Sequence, residues 1–207
     1  MVNWKGLVLS TGFKIYDDIV PLKLQNAIKD SLFSHRFPWH YLHDNTYAEN
    51  PTPDSRPCFT HWYYEDYEPT SLASKLVIDL ADVISKHIKF GPYSIIQARS
   101  FMQLFLNLTK EELESEDSLH IDLDYPHTVF LYYVADATGD TVLSNYNKYD
   151  YNAHPKDYKI IKRVTPKQGR VLVFDGDIWH AAYQPYTRQS RCIVNIDLEP
   201  KDHDSTD

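Results

Sequence analysis

Cysteine is nearly absent from this chain: only Cys58 and Cys192 occur, far apart, and Cys192 sits inside an apolar run. That excludes a small disulfide-stapled scaffold and reads as two core thiols in a reducing compartment. No Cys-x-x-Cys pair exists, which disfavours a closed structural zinc site, since such a site wants four ligands and usually includes cysteine. Nowhere are there about eighteen consecutive apolar residues, the length a membrane-spanning helix needs. Residues 1–11 lack a basic-then-apolar signal pattern, so the expectation is a soluble, unexported, cytoplasmic protein with no membrane partner. Lys/Arg runs are missing too. With 29 acidic against 21 basic residues the net charge is −8, and the electrostatic footprint of a nucleic-acid binder is lacking. No Gly-x-Ser-x-Gly elbow occurs, which removes the commonest signature of Ser-His-Asp hydrolysis. Internal repeats and low-complexity linkers are also missing.

What is present suits one domain over residues 1–207: helical support and lid in 1–92, a core in 93–198 and a polar tail in 199–207. Pro21 opens a helix whose Leu24, Ile28 and Leu32 form an apolar stripe. A second helix follows Pro69-Thr70, with Leu72, Leu76, Leu80, Val83, Ile84 and His87 on one side and Gly91 as its stop. His87 reads as a satisfied core or boundary histidine rather than a ligand. Between the helices, 35–68 is rich in Pro and aromatics, and reads either as a surface excursion or as a substrate lid. His40, His43 and His61 read as structural.

From Tyr93 onwards the texture changes to short apolar runs at 94–107, 119–122, 127–134, 141–145, 158–164, 170–174, 179–183 and 191–198. Eight such runs separated by turn residues predict a mainly β sandwich or barrel, of which a double-stranded β-helix, or jelly roll, is the natural form.

The stretch Ser118-Leu119-His120-Ile121-Asp122-Leu123-Asp124 carries the chemistry. In a strand, residues i and i+2 share a face, so His120 and Asp122 converge while Leu119, Ile121 and Leu123 point away. Among the ten histidines, His120 alone has Asp two places on. Downstream, Pro166-Lys-Gln-Gly169-Arg-Val-Leu-Val-Phe174 leads to His180, and Arg191 follows eleven positions later at the start of an apolar strand. Two histidines and one carboxylate on one side of a metal leave the other positions open, the facial arrangement of non-haem Fe(II) oxygenases. A guanidinium in an apolar strand is costly unless it meets an anion. In a closed jelly roll, ligands 58 residues apart (180 − 122) can meet.

His-x-Asp, distal His and trailing Arg, in that order over about residues 95 to 198, resemble the Fe(II)/2-oxoglutarate-dependent dioxygenases. The likeness is greatest to the prolyl 4-hydroxylase-like group, including its phage-type members. The resemblance implies the same jelly roll, metal ligation by His120, Asp122 and His180, and an Arg191 fork on the distal carboxylate of 2-oxoglutarate, with Arg188 as the competing anchor. It implies Fe(II) as cofactor, 2-oxoglutarate and O2 as cosubstrates, and hydroxylation of an unactivated C–H of a peptide or small molecule, peptidyl proline being one candidate. The carboxylate at 122 favours hydroxylation over halogenation. A nucleic-acid demethylating member would show a second Arg six residues after the first, where this chain has Asp197. The segment Gly139-Asp-Thr141 resembles a Gly-Gly-x-Thr corner with Thr138 in place of the first glycine. Tyr132 or Tyr133 could give a phenol to 2-oxoglutarate, and strand alternation admits only one of them to the interior.

Aromatic residues at 61–67 and the tyrosine-rich loop 146–158 are candidates for holding the substrate. Two rival readings remain: a non-catalytic jelly-roll binding or structural protein with a vestigial metal site, and a cupin-type metalloenzyme without 2-oxoglutarate, which would not need Arg191.

Overall fold

Two antiparallel sheets face each other across an apolar interior in this computed structural model, which describes residues 12–44, 56–150 and 157–201. In chain order the elements are β1 (Phe13–Tyr16), α1 (Leu22–Leu32), β2 (His40–Leu42), β3 (Cys58–Glu65), β4 (Glu68–Pro69), α2 (Ser74–Ile88), β5 (Tyr93–Gln103), α3 (Lys110–Leu113), β6 (Thr128–Tyr133), β7 (Thr141–Asn147), β8 (Ile160–Val164), β9 (Val171–Asp175), β10 (Ile178–Ala182) and β11 (Arg191–Pro200). The larger sheet runs β1-β9-β6-β11-β5-β3-β2 with β4 beside β3, and the smaller runs β10-β7-β8.

Period-2 alternation sorts the side chains of the large sheet into two layers. Val129, Leu131 and Tyr133 of β6, Leu172 and Phe174 of β9 and Ile193 of β11 face the small sheet, where they meet Leu143, Val164 and Ile178. Their neighbours Phe130, Tyr132, Val171, Val173, Cys192, Val194 and Ile196 face outward and pack with Ile28 and Leu32 of α1 and Val77, Leu80, Ala81 and Ile84 of α2. The mainly β jelly roll with supporting N-terminal helices, expected from the spacing of apolar runs, is the observed architecture.

Pro21 stands at the N-cap of α1 with φ −57° and ψ 136°, and its carbonyl accepts from the Leu24 and Gln25 N–H groups at 2.8 and 3.0 Å. The helix docks on the turn before β9, where Lys29 donates to Gln168 Oε1 at 2.9 Å. Gly169 there has φ +82°, and a Cβ would lie 2.6 Å from the Gln25 amide. Glycine is required on both counts. The second helix starts later than its apolar stripe suggested, so Leu72 lies outside it and is fully exposed. Lys89 in the left-handed region (φ 58°) ends α2, before Gly91. His87 is exposed and edge-on to Tyr16 at 5.7 Å.

Two expectations change. The composition of 35–68 suits an excursion or a lid, yet Cys58–Glu65 is a strand of the large sheet, between β5 and the terminal β2, whose His61 and Tyr63 are buried toward the helices. Tyr63 donates to or accepts from Ser100 Oγ at 2.8 Å, and His61 is held by Pro38 O and Ser71 Oγ. Aromatic richness there reflects a buried face rather than a cover. Run 119–122 forms no strand; its pairing reduces to one bridge between His120 and His180. Among the described residues no helix is long and apolar enough to cross a membrane.

Candidate metal centre

The bridge that replaces the expected strand is what brings two histidines together. His120 N–H donates to His180 O at 3.0 Å and His180 N–H returns the bond to His120 O at 2.9 Å. Paired this way, the two rings lie 4.5 Å apart, centroid to centroid. Each ring turns its Nδ1 to a carbonyl two residues back, Ser118 O at 3.0 Å and Ile178 O at 3.1 Å. In a neutral ring whose Nδ1–H donates to a carbonyl, the lone pair sits on Nε2, the tautomer a metal ligand needs.

Asp122 completes the group. Its Oδ2 lies 3.4 Å from His180 Nε2, and one donor atom each from His120, Asp122 and His180 falls within a 4.8 Å cluster. Burial by itself would raise the Asp122 carboxyl, but His180, Arg99 and His120 outweigh it and hold the group well below the usual carboxylate range. Burial, reinforced by His120, pushes the His180 imidazole down to about 4. At neutral pH the centre therefore offers a carboxylate and a neutral buried imidazole, the donor states that metal binding requires.

A cavity of about 300 Å³ opens on these residues, and its wall also includes Arg191, Asn195, Thr141, Gln103 and the apolar Phe101, Ile121, Leu131 and Ile193. Ile121 was expected to point away from His120 and Asp122; outside a regular strand the alternation fails and all three line one space. Along β11 the alternation holds. Arg191, Ile193 and Asn195 face the cavity, whereas Cys192, Val194 and Ile196 join the helix-facing core.

Arg191 is 2 % exposed. Its Nε donates to Gly139 O at 2.9 Å, Nη1 to Gln103 Oε1 at 2.7 Å and Nη2 to Thr141 Oγ1 at 2.7 Å. All three acceptors are neutral, and burial lowers the readiness of this guanidinium to carry its charge. The Gly139-Asp-Thr141 corner thus supplies two of its acceptors. A Cβ on Gly139 would come within 2.5 Å of Tyr183 O and 3.2 Å of Arg191 Cδ. Thr138, in place of a first glycine, uses its hydroxyl to accept from the Tyr186 and Thr187 N–H groups at 3.0 and 3.2 Å, pinning the turn before Arg191. Arg188 lies exposed in that region and is not part of the cavity wall.

Tyr133 and Tyr132 part company as alternation requires. Tyr133 points inward and donates to Thr141 Oγ1 at 2.7 Å, beside Arg191; Tyr132 faces the helices, its hydroxyl buried.

Several site residues escaped the reading of the sequence. Arg99 on β5 donates from Nη2 to Asp122 Oδ1 at 2.6 Å, and Asn195 Nδ2 donates to Oδ2 at 3.1 Å. Gln103 connects Arg191 to Asp117, which also accepts from Gln184. The signal was available in β5, where Gln97, Arg99 and Gln103 recur at even spacing within an apolar strand. A further grouping, Asp122 with His127 and Asp197, lies behind the centre. There the Arg99 guanidinium reaches both carboxylates, at 2.6 and 3.7 Å, and already supplies the positive charge. His127 rests on Gly176, where a Cβ would meet its ring at 2.2 Å.

No family model matches the chain, and no curated protein matches it by sequence. Solved structures do. A 2OG-Fe(II) oxygenase family oxidoreductase from Burkholderia pseudomallei superposes with TM-score 0.66 at 13% identity, covering 95% of this chain and 89% of that one. The fold is that of the 2OG-Fe(II) oxygenases. Within this oxygenase fold, a Trichoplax adhaerens prolyl hydroxylase in complex with a hypoxia inducible factor peptide fragment gives 0.60 at 13% identity over 90% and 83% of the two chains. The viral collagen prolyl hydroxylase of Paramecium Bursaria Chlorella virus-1, a 2OG complex, gives 0.52 at 11% over 92% and 97%. At such identities the likeness establishes the 2OG-Fe(II) oxygenase fold, and the site residues must carry any further reading.

Proposed function

We propose that the protein is an Fe(II)- and 2-oxoglutarate-dependent dioxygenase that hydroxylates an unactivated C–H of its substrate. The observation that carries the reading is one cavity lined both by His120, Asp122 and His180 and by the buried, neutrally partnered Arg191. A buried cation whose protein acceptors are all uncharged is stabilised by a ligand anion, and a guanidinium fork fits a carboxylate. Metal ligands alone would fit a cupin-type enzyme as well; the cation in the same cavity favours a dicarboxylate cosubstrate.

The donor set suits Fe(II): two imidazoles and one carboxylate on one side, the cavity on the other. Bound there, the iron would supply O2 activation coupled to oxidative decarboxylation, so that R–H, O2 and 2-oxoglutarate become R–OH, succinate and CO2. The chain's own residues do the rest. His120, Asp122 and His180 hold the metal, with the two Nδ1–H···O=C bonds fixing the ring planes. Arg191 takes the distal carboxylate, Thr141 and Gln103 aim its fork, and Tyr133 braces Thr141 from behind. Phe101, Ile121, Leu131 and Ile193 keep the cavity wall apolar and limit water.

For the substrate we infer a polypeptide side chain or small molecule that is neutral or basic. Asp44, Glu111, Glu112 and Glu116 gather beside Asp117 in an opening next to the cavity, with Arg56 the cation among them. That potential repels a polyanion. Tyr146 and Tyr158 flank the tyrosine-rich loop, Tyr146 edge-on to Trp179 and Tyr158 bonded to Glu116; its residues 151–156 lie outside the described residues. The test is anaerobic loading with Fe(II), then O2, 2-oxoglutarate and panels of proline-rich peptides, lysine-containing peptides and small molecules. Succinate coupled to a mass gain of one oxygen in one panel is expected. No 2-oxoglutarate turnover with iron bound would refute the dioxygenase reading.

A further inference from the structure

Asp122 is held by two groups from neighbouring strands, and they divide its oxygens. Arg99 Nη2 donates to Oδ1 at 2.6 Å, while Oδ2 accepts from Asn195 at 3.1 Å and lies 3.4 Å from His180 Nε2. The first is a short charge-assisted bond, the stronger kind. The guanidinium is itself confined. It lies 5.0 Å from the Trp62 ring and 5.4 Å from the Phe101 ring, and its Nη2 is 3.7 Å from Asp197 Oδ2, a carboxylate oxygen that Gln97 Nε2 holds at 2.6 Å. Its side chain is 9 % exposed and that of Asp122 is 5 %.

We propose that Arg99 is a positioning residue of the metal centre: by occupying Oδ1 it turns the Asp122 carboxylate so that Oδ2 alone is offered toward the imidazoles. The inference rests on the metal reading above. For both carboxylate oxygens to serve a metal equally, the carboxylate would have to turn away from its short bond to Arg99, weakening a charge-assisted contact between two buried groups. A carboxylate limited to one donor atom leaves more of the metal's positions for exchangeable ligands, the property that sets the facial arrangement apart from closed sites. The aromatic pair and the Gln97–Asp197 arm explain why the residue is Arg. A planar guanidinium fits between rings and reaches two carboxylates at once, which a lysine ammonium on a flexible stem does not.

The experiment titrates metal-free full-length protein with Co(II), whose ligand-field bands report coordination, and follows thermal unfolding in parallel. In Arg99→Gln the Co(II) affinity of the folded protein should fall about ten- to a hundredfold, the usual scale for a group that orients a ligand, and the bands should change position and intensity. Arg99→Lys should lie between, since it keeps the charge and loses the plane. Asp197→Asn should reproduce the band change with a smaller loss of affinity. Parental affinity and spectrum in Arg99→Gln, even with a lowered melting temperature, would overturn the proposal and leave the metal reading standing. Should Arg99→Gln not fold, parental behaviour of Arg99→Lys overturns it equally. Absence of Co(II) binding by the parent would remove both readings.

Discussion

The two faces of β11 share one backbone and divide the work of the molecule. Cys192, Val194, Ile196 and Leu198 look outward onto the helices and bury apolar surface without a polar atom among their side chains beyond one thiol. Arg191, Asn195 and Asp197 look the other way, equally buried, with Ile193 as the apolar member between them. The outward face stabilises by roughly 1.5–3 kcal/mol per large side chain removed from water. The inward face is neutral or unfavourable unless every group is matched, since buried polar atoms must recover their lost hydration. Arg191 recovers it from Gly139, Gln103 and Thr141. A strand with one face of this kind is built for binding, with its fold secured from behind.

The sharpest break of this comparison is His180→Ala. It should abolish Fe(II) binding, by more than about a hundredfold as a lost ligand exceeds the loss of an orienting group, while far-ultraviolet circular dichroism stays that of a folded β protein. An iron titration matching the parent would show that the triad is not the metal site. On the outward face, Ile196→Ala should lower the unfolding free energy by about 2–5 kcal/mol through a core cavity and leave Fe(II) affinity per folded molecule unaltered; denaturant melts and titration together check this. Arg191→Met is the inward counterpart. Losing a charged hydrogen-bonding partner costs about 1.5–3 kcal/mol, so the 2-oxoglutarate requirement should rise about ten- to a hundredfold, and less in Arg191→Lys. Unchanged 2-oxoglutarate dependence in Arg191→Met would dismiss the anchor.

The pH response separates the faces further. Metal-free protein holds His180 at about 4, below its ordinary 6.5, chiefly through burial. Between those values the unfolded chain binds a proton that the native state refuses, so this residue's contribution to stability is lost as pH falls from 6.5 toward 4. His180→Gln should flatten that window in denaturant melts of the metal-free protein, whereas Ile196→Ala should shift the whole curve without changing its slope. Thr138→Ala, which frees two backbone N–H groups ahead of Arg191, is the smallest change: about 0.5–1.5 kcal/mol in stability, with a slight rise in the 2-oxoglutarate requirement.

Much of this was legible beforehand because period-2 patterning survives wherever strands are regular. Seven of the eight apolar runs correspond to β5 through β11, and period-2 alternation divides β11 into its two faces. The strands β1 to β4 were hidden for physical reasons. His61, Trp62, Tyr63 and Tyr64 are all large and amphipathic, so β3 shows no contrast between its faces although one packs on α2. Residues 119–122 failed in the opposite sense: their pattern fits a strand, but only His120 finds a partner.

The residue types and order of His120, Asp122, His180 and Arg191 were determined by the sequence itself, because ligand chemistry is local to each side chain and its spacing. Their convergence on one cavity was decided by the tertiary structure, through the bridge between His120 and His180 and the register of β11 against β5 and β6. Only that register sets Asn195 beside Arg99, and only burial sets Arg99, Asp122 and Asp197 against one another, raising the Asp197 carboxyl well above its ordinary range. Electrostatic energy depends on distance and on the exclusion of water, and neither exists until the two sheets have closed.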